Sequence, residues 1–277
     1  MRRFTQKKKL HPKIGILSSP MPKAHLHRAA SYVERAYVRW VELSGASAVI
    51  IPYNTKNLQR YLASVDSVVF CGGAIENEAT HSAAQYRQYM RVFRTIYEHA
   101  VHRSNFPLWG TCQGFELLAL MGDPPKPNHF YDTMQAVPKH GLATLAFRGP
   151  SQFRRLFTAA ERGRLEAVPS CSHAHRWGFR TDSDVARKMQ SYLDVVSTDR
   201  TDDGTAEFIN MFAYKNKPFY GSMWHVERTT NELSEMTAQR FSDFLRKEAE
   251  KGGCQRRNKQ WRTVREPLSS AETVLMT

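Results

Sequence analysis

The sequence lacks any long apolar run, although 41% of its 277 residues are hydrophobic. A helix that crosses a bilayer needs about 20 consecutive apolar residues, and no run of even ~18 exists. Residues 1–13 also lack the apolar segment of a secretory signal, since six of them are Lys or Arg and none is acidic. These absences predict a protein with neither a membrane span nor a secretory signal.

Cysteine is scarce as well. The four cysteines are Cys71, Cys112, Cys171 and Cys254, and none forms a C-x-x-C pair. So few cysteines in a chain of this length exclude a small disulfide-stapled domain and favour a reduced intracellular compartment. We expect the cytoplasm, with mitochondrial import as the alternative that the basic, acid-free start of the chain leaves open.

Acidic residues are outnumbered, and the imbalance lies mainly at the two ends. The formal net charge is +14, of which residues 1–13 contribute +6 and residues 251–277 contribute +4. We interpret 1–12 and 251–277 as basic tails, the second disordered, around one catalytic domain at 13–250. Such tails are either solvated ends or contacts for an acidic partner. They do not interleave aromatic and basic residues as a nucleic-acid-binding surface does.

Short apolar segments alternate with amphipathic ones in the first half of the chain. The predicted strands there are Lys13 to Ser19, Ala48 to Tyr53, Ser67 to Cys71 and Phe106 to Trp109. The predicted helices are Leu26 to Leu43, Ser82 to His102 and Gln113 to Met121. This alternation is typical of an α/β fold with a mostly parallel central sheet and helices on both faces.

The second half of the chain changes character. Residues 134–180 are irregular apart from a helix predicted near Gln152 to Ala160. Three further strands are predicted at 194–198, 206–213 and 218–224, between turn-forming clusters. A closing helix from Glu232 to Glu250 is expected to stop at Gly252-Gly253.

A G-x-C-x-G element places Cys112 between Gly110 and Gly114, where a predicted strand gives way to a helix. It resembles the nucleophile elbow G-x-S-x-G with sulfur in place of oxygen. The helix N-terminus favours a thiolate there because the helix dipole stabilises negative charge. Although a lone cysteine is more often an inert buried residue, this position predicts a nucleophile.

His225 and Glu227 follow a later strand. Residues i and i+2 of an extended segment lie on the same side, so the carboxylate can orient the imidazole that takes the thiol proton. His-x-Glu alone is a weak signal, but with the elbow it completes a predicted Cys112–His225–Glu227 triad.

Gly72-Gly73 ends another predicted strand, and ligands of such sheets bind beyond the carboxyl ends of the strands. The N–H groups of Gly73 and Gln113 are candidates for an oxyanion hole, with a plain tight turn as the alternative.

The segment His173-Ala174-His175-Arg176-Trp177 is the third cluster of interest. No cysteine or carboxylate nearby in sequence completes a metal-ligand set, so we predict no metal site. We interpret the segment as a substrate-facing loop, with a buried structural cluster as the alternative.

These motifs resemble the gamma-glutamyl hydrolase family, within the class I glutamine amidotransferase-like superfamily. The matching segments are Lys13-Ile14-Gly15-Ile16-Leu17, Phe70-Cys71-Gly72-Gly73, Pro107 to Glu116, His175-Arg176-Trp177 and Tyr220 to Glu227. The resemblance implies an omega peptidase that hydrolyses gamma-glutamyl bonds of folate polyglutamates without a cofactor. It implies Cys112 as nucleophile, His225 as base and then acid, and Glu227 as its orienter. Gly72, Glu116, His173, His175 and Trp177 would contact the substrate.

The chain departs from the family pattern at several positions. His173 replaces an asparagine, Val226 a proline and Met223 a frequent glutamine. Two other interpretations stay open beside the hydrolase: a non-catalytic structural or assembly protein on the same fold, and the amidase of a glutamine amidotransferase. A homodimer is also compatible with the sequence.

Overall fold

A computed structural model of the chain describes residues 11–123, 131–256 and 273–276. A seven-stranded sheet lies at its centre. In spatial order its strands are β4 (Ser47–Ile51), β1 (Lys13–Leu17), β5 (Ser67–Phe70), β6 (Leu108–Thr111), β11 (Phe219–Ser222), β10 (Glu207–Tyr214) and β9 (Leu193–Arg200). Neighbours from β4 to β11 are parallel, and β10 is antiparallel to both β11 and β9. The predicted mostly parallel sheet is confirmed.

Helices cover both faces of this sheet. Within the described residues they are α1 (Arg35–Leu43), α2 (Leu58–Ser64), α3 (Ala83–Val101), α4 (Gln113–Leu120), α5 (Ala159–Ala167), α6 (Asp184–Met189) and α7 (Glu232–Arg256). Strand β1 shows why two layers form: Ile14 and Ile16 join one buried cluster, with α1, α5 and α7, while Leu17 joins the other, with α2, α3, α4 and α6. Among the described helices, none combines the length and apolarity needed to cross a membrane.

Two smaller sheets flank the main one. Strand β3 (Ser31–Glu34) lies between β2 (Ser19–Pro20) and β12 (Thr273–Met276), and β7 (Gln135–Ala143) pairs with β8 (Cys171–Gly178). In the part of the chain that the structure describes, three 3-10 turns complete the elements, at Lys23–His25, Tyr131–Thr133 and Arg154–Leu156.

The predicted helix from Leu26 to Leu43 is wrong in its first half. Residues Ser31–Glu34 form β3, and helix α1 begins only at Arg35. The aromatic and β-branched pair Tyr32-Val33 suits a strand, and β3 pairs on both sides, with β2 and with β12. Long-range pairing therefore overrides the local helical pattern.

The segment 134–180, predicted as irregular, holds the antiparallel strand pair β7–β8, so the 170s segment is a strand and not a loop. Helix α5 also begins later than predicted. Its start is set by Thr158, whose side chain accepts the N–H of Glu161 while Glu161 bonds back to the N–H of Thr158. This capping box is a sequence signal that the prediction overlooked.

Helix α7 continues through Gly252-Gly253 to Arg256. Gly252 serves close packing, since a Cβ there would lie 1.9 Å from the carbonyl oxygen of Asn105. Helical residues 251–256 and strand residues 273–276 contradict the predicted disorder of the C-terminal tail at those positions. Residues 1–10 and 257–272, which carry most of the predicted tails, lie outside the described residues.

Candidate active site

Cys112 occupies a sharp turn between β6 and α4. Its backbone has φ 51° and ψ −111°, and in the described ranges no other non-glycine residue has a positive φ. Such strain costs about 1–3 kcal/mol and persists only where the surroundings fix it. Here the Cys112 N–H donates to the Ser222 carbonyl at 2.9 Å, and its carbonyl accepts the Glu116 N–H at 3.0 Å.

The two flanking glycines are required by close backbone approach. A Cβ on Gly110 would lie 2.3 Å from the carbonyl oxygen of Gly114, and a Cβ on Gly114 would lie 2.3 Å from that of Phe70. Neither neighbour can retreat, because both are backbone atoms. The turn can therefore form only with glycine at both positions.

His225 lies three residues beyond β11, and its Nδ1 is 2.6 Å from Oε1 of Glu227. Both side chains are buried. Burial opposes a charge on His225, but the Glu227 carboxylate and hydrogen bonds to Cys112 and Glu227 outweigh it and raise the pKa of His225 above its ordinary value. The arrangement therefore favours an imidazolium beside the Cys112 sulfur.

Gly72 marks the point where the strand ends meet. A Cβ at this position would lie 2.9 Å from Cε1 of His225, 3.1 Å from the Tyr37 hydroxyl and 3.3 Å from Cβ of Cys112. The Gly72 N–H donates to the Tyr37 hydroxyl at 2.7 Å. Thus Gly72 lies beside both Cys112 and the imidazole of His225, and its own N–H is already engaged.

The two oxyanion candidates are neighbours. A Cβ on Gly73 would lie 2.9 Å from Oε1 of Gln113, and Gln113 is the first residue of α4. The Gln113 side chain donates to Oε2 of Glu76 at 2.6 Å. Both residues thus flank Cys112 at the carboxyl ends of β5 and β6.

Glu116 is buried on α4 near Cys112. Burial, with Cys112 and Glu76 nearby, raises the pKa of Glu116 well above its ordinary range. This favours the protonated carboxyl, which can donate as well as accept a hydrogen bond.

Strand β8 brings His173 and His175 to the same region, since the Ser172 carbonyl accepts the N–H of His225 at 2.8 Å. Both imidazoles are buried, whereas Trp177 is 45% exposed. Burial and the neighbouring imidazoles lower the pKa of His173 well below its ordinary value and that of His175 to about 4. The two histidines are therefore neutral at neutral pH and offer hydrogen bonds, not positive charge.

Several residues of the site were missed by sequence reasoning. Tyr37, Glu76 and Asp199 contact predicted site residues: Gly72, Gln113 and His173 respectively. Each is remote in sequence from its partner and belongs to no motif. Only the fold brings these groups together.

The profile of the peptidase C26 family matches residues 12–227. Among curated relatives, "Gamma-glutamyl hydrolase" of Bos taurus is 26% identical over 81% of this chain and 70% of its own length. "Gamma-glutamyl hydrolase" of Homo sapiens is 26% identical over 80% and 69%. "Gamma-glutamyl hydrolase B" of Dictyostelium discoideum is 24% identical over 79% and 63%.

Solved structures show the same fold. A Thermoplasma acidophilum protein, described as one of the subunits of GMP synthase, superposes with a TM-score of 0.57 at 17% identity, over 90% of this chain and all of that one. PurLQS from Thermotoga maritima gives a TM-score of 0.50 at 16% identity, over 85% of this chain and 98% of that one. At these identities the likeness establishes the fold alone.

Proposed function

The chain belongs to the peptidase C26 family, and we propose that it cleaves the gamma-glutamyl amide bonds of folate polyglutamates through a Cys112–His225–Glu227 triad. A gamma-glutamyl hydrolase-like cysteine peptidase is what the family and the names of the curated relatives support. The observation that carries the proposed chemistry is the strained turn at Cys112 beside an imidazole that is bonded to a carboxylate at 2.6 Å.

In the first half-reaction, the Cys112 sulfur attacks the gamma-carbonyl carbon, and the thiol proton resides on His225. The carbonyl electron pair moves onto oxygen, which accepts hydrogen bonds from the N–H groups of Gly73 and Gln113. Collapse of this intermediate breaks the carbon–nitrogen bond. His225 delivers its proton to the leaving nitrogen, and a thioester remains on Cys112.

In the second half-reaction, His225 is neutral and takes a proton from water as the water oxygen attacks the thioester carbonyl. The carbon–sulfur bond breaks, the acid product leaves, and the proton returns to sulfur. Glu227 holds the imidazole through Nδ1 and stabilises the imidazolium in both halves.

The test is direct. Purified protein is incubated with a pteroyl-polyglutamate and, separately, with glutamine, and glutamate and ammonia are measured. We expect shortened folates and free glutamate from the first substrate and little ammonia from the second. Ammonia from glutamine without folate cleavage would instead favour an amidotransferase-type amidase. Inactivity on both would favour a non-catalytic role for the fold.

A further inference from the structure

A row of buried and half-buried polar side chains extends from the active site along strand β8 to strand β9. His173 and His175 lie on the same side of β8, with Nδ1 of His173 3.1 Å from Nε2 of His175. Both rings pack edge-on against Phe208, at 6.1 and 5.1 Å between centroids. Burial is the largest cause that lowers the pKa of His175, and His225 is the second. The two imidazoles are therefore close enough to interact.

Asp199, on β9, lies at the other end of this row. Its Oδ2 is 3.5 Å from Nε2 of His173, and its Oδ1 is 3.8 Å from Nζ of Lys139. The distance to His173 is at the limit of a hydrogen bond, yet neither atom has another hydrogen-bond partner among the described residues. Leaving both unsatisfied is costly, so a small rotation that joins them is favoured. Burial is the largest influence and raises the pKa of Asp199, although the Arg200 N–H and the Lys139 ammonium oppose it. The 3.8 Å approach of the Lys139 ammonium is the geometric reason to treat the carboxylate as ionised at neutral pH.

An ionised carboxylate fixes the direction of every hydrogen bond in the row. It can only accept, so Nε2 of His173 carries the proton. A neutral His173 then has a lone pair on Nδ1, which accepts the Nε2 proton of His175. A neutral His175 is left with a lone pair on Nδ1, a buried atom that makes no hydrogen bond within normal limits in the described part of the chain, although the Trp177 backbone lies close enough to raise the pKa of His175.

We propose that Asp199 and His173 are positioning residues that hold His175 as a hydrogen-bond acceptor, so that its Nδ1 receives an N–H group of the substrate. The complementary group is the α-nitrogen of the gamma-glutamyl unit, an ammonium in a dipeptide and an amide N–H in a polyglutamate. A carboxylate has no proton to give and is rejected at this position. This inference rests on the proposed function for the identity of the ligand, but the direction of the hydrogen bonds does not.

The first test needs no substrate. Imidazole nitrogens that carry a proton differ in ¹⁵N chemical shift from those with a lone pair. In the wild-type protein at neutral pH, we expect proton-bearing Nε2 and lone-pair Nδ1 in both His173 and His175. In Asp199→Asn, the amide can donate to His173, which reverses the row and moves both protons to Nδ1. Asp194→Asn is the matched control, since Asp194 is exposed on the same strand β9 and is not among the charges that shift the pKa of His173, His175 or Asp199; both tautomers should be unchanged. A proton on Nδ1 of His175 in the wild type overturns the inference.

The second test measures recognition. Gamma-glutamyl-anilide and glutaryl-anilide share the scissile bond and the α-side carboxylate, but only the first has an α-nitrogen. We expect Asp199→Asn to lower kcat/KM about tenfold for the gamma-glutamyl substrate and to leave kcat/KM for the glutaryl substrate unchanged. The Asp194→Asn control should match the wild type on both substrates. An equal loss on both substrates would mean a merely structural role. If the wild type cleaves neither anilide, the proposed function fails, and the ¹⁵N assignments decide the inference by themselves.

Discussion

At the scale of single residues, the fold distinguishes one cysteine from two others. Burial is the main cause that raises the pKa of Cys71 and of Cys171 above the ordinary value for a thiol. Both therefore stay protonated and unreactive at neutral pH. Cys112 differs because it begins a helix and hydrogen-bonds to His225, a contact that helps to raise the imidazole pKa. Environment, and not residue type, thus singles out Cys112 as the proposed nucleophile.

Cys112→Ala should abolish hydrolysis and leave the fold intact, because loss of the nucleophile removes the function of the whole triad. Brief treatment of the wild type with iodoacetamide should label Cys112 ahead of Cys71 and Cys171, as read by peptide mass spectrometry. Cys171→Ala serves as the control for loss of a thiol and should retain labelling at Cys112. Full turnover by Cys112→Ala would contradict the mechanism.

Glu227→Gln should be milder than His225→Ala, since an amide still holds the ring but cannot stabilise imidazolium. Glu227 raises the pKa of His225, so its stabilising effect is complete below the pKa of a free histidine, about 6.5, and is lost as pH rises through the higher folded value. The variant should therefore move the His225 titration, followed by NMR, to lower pH. An unchanged His225 titration in Glu227→Gln, together with a wild-type kcat in both variants, would remove the triad assignment.

At the scale of elements, the elbow depends on how tightly α4 is seated against β5. Gly114→Ala would place a Cβ 2.3 Å from the Phe70 carbonyl oxygen, and relieving that clash requires the helix to move. We expect a loss of at least ~1–3 kcal/mol in the free energy of unfolding, as for overpacked cores, and loss of activity.

Gly163→Ala in α5 is the matched control for that change. No atom lies within 4 Å of a Cβ there, so a gain of about 0.4–1 kcal/mol is expected from a less flexible unfolded chain. Denaturant unfolding measures both variants. Equal stabilities would show that the elbow is less tightly packed than its geometry implies.

Elements with local signals were predictable, and those made by distant pairing were not. The strands around Gly72-Gly73 and Cys112 follow from apolar runs that end at glycines, and so do their helices. The antiparallel pair β7–β8 does not, because β7 stays mostly exposed and β8 buries alternate residues only once it packs against the rest of the fold. The same holds for Asp199, whose contact with His173 joins two strands of different sheets. Sequence motifs therefore pointed to the groups proposed to react, but not to Tyr37, Glu76 and Asp199, which contact the predicted site residues.

At the scale of the whole molecule, the C-terminal strand is connected to the active site. β12 pairs in parallel with β3, with Met276 opposite Glu34. The Glu34 carboxylate accepts two hydrogen bonds from Arg228, at 3.1 and 3.2 Å, and Nε of Arg228 lies 4.0 Å from Oε1 of Glu227. Strand, ion pair and triad carboxylate thus form a continuous series of contacts.

The two ends of the chain should therefore behave differently on removal. Deleting residues 1–10 should leave kcat/KM on a small gamma-glutamyl substrate unchanged, since their contribution is mainly charge.

Deleting 273–277 removes β12, one of the two strands that pair with β3. The loss of a few backbone hydrogen bonds, about 1 kcal/mol net, should lower Tm by about 2–4 °C. Activity should fall modestly as well, because Glu34 and Arg228 lose their fixed positions. Glu34→Gln should reproduce the change in activity without the full loss of Tm. If the C-terminal deletion matches the wild type in both measurements, β12 contributes nothing to the site, and both ends of the chain are dispensable.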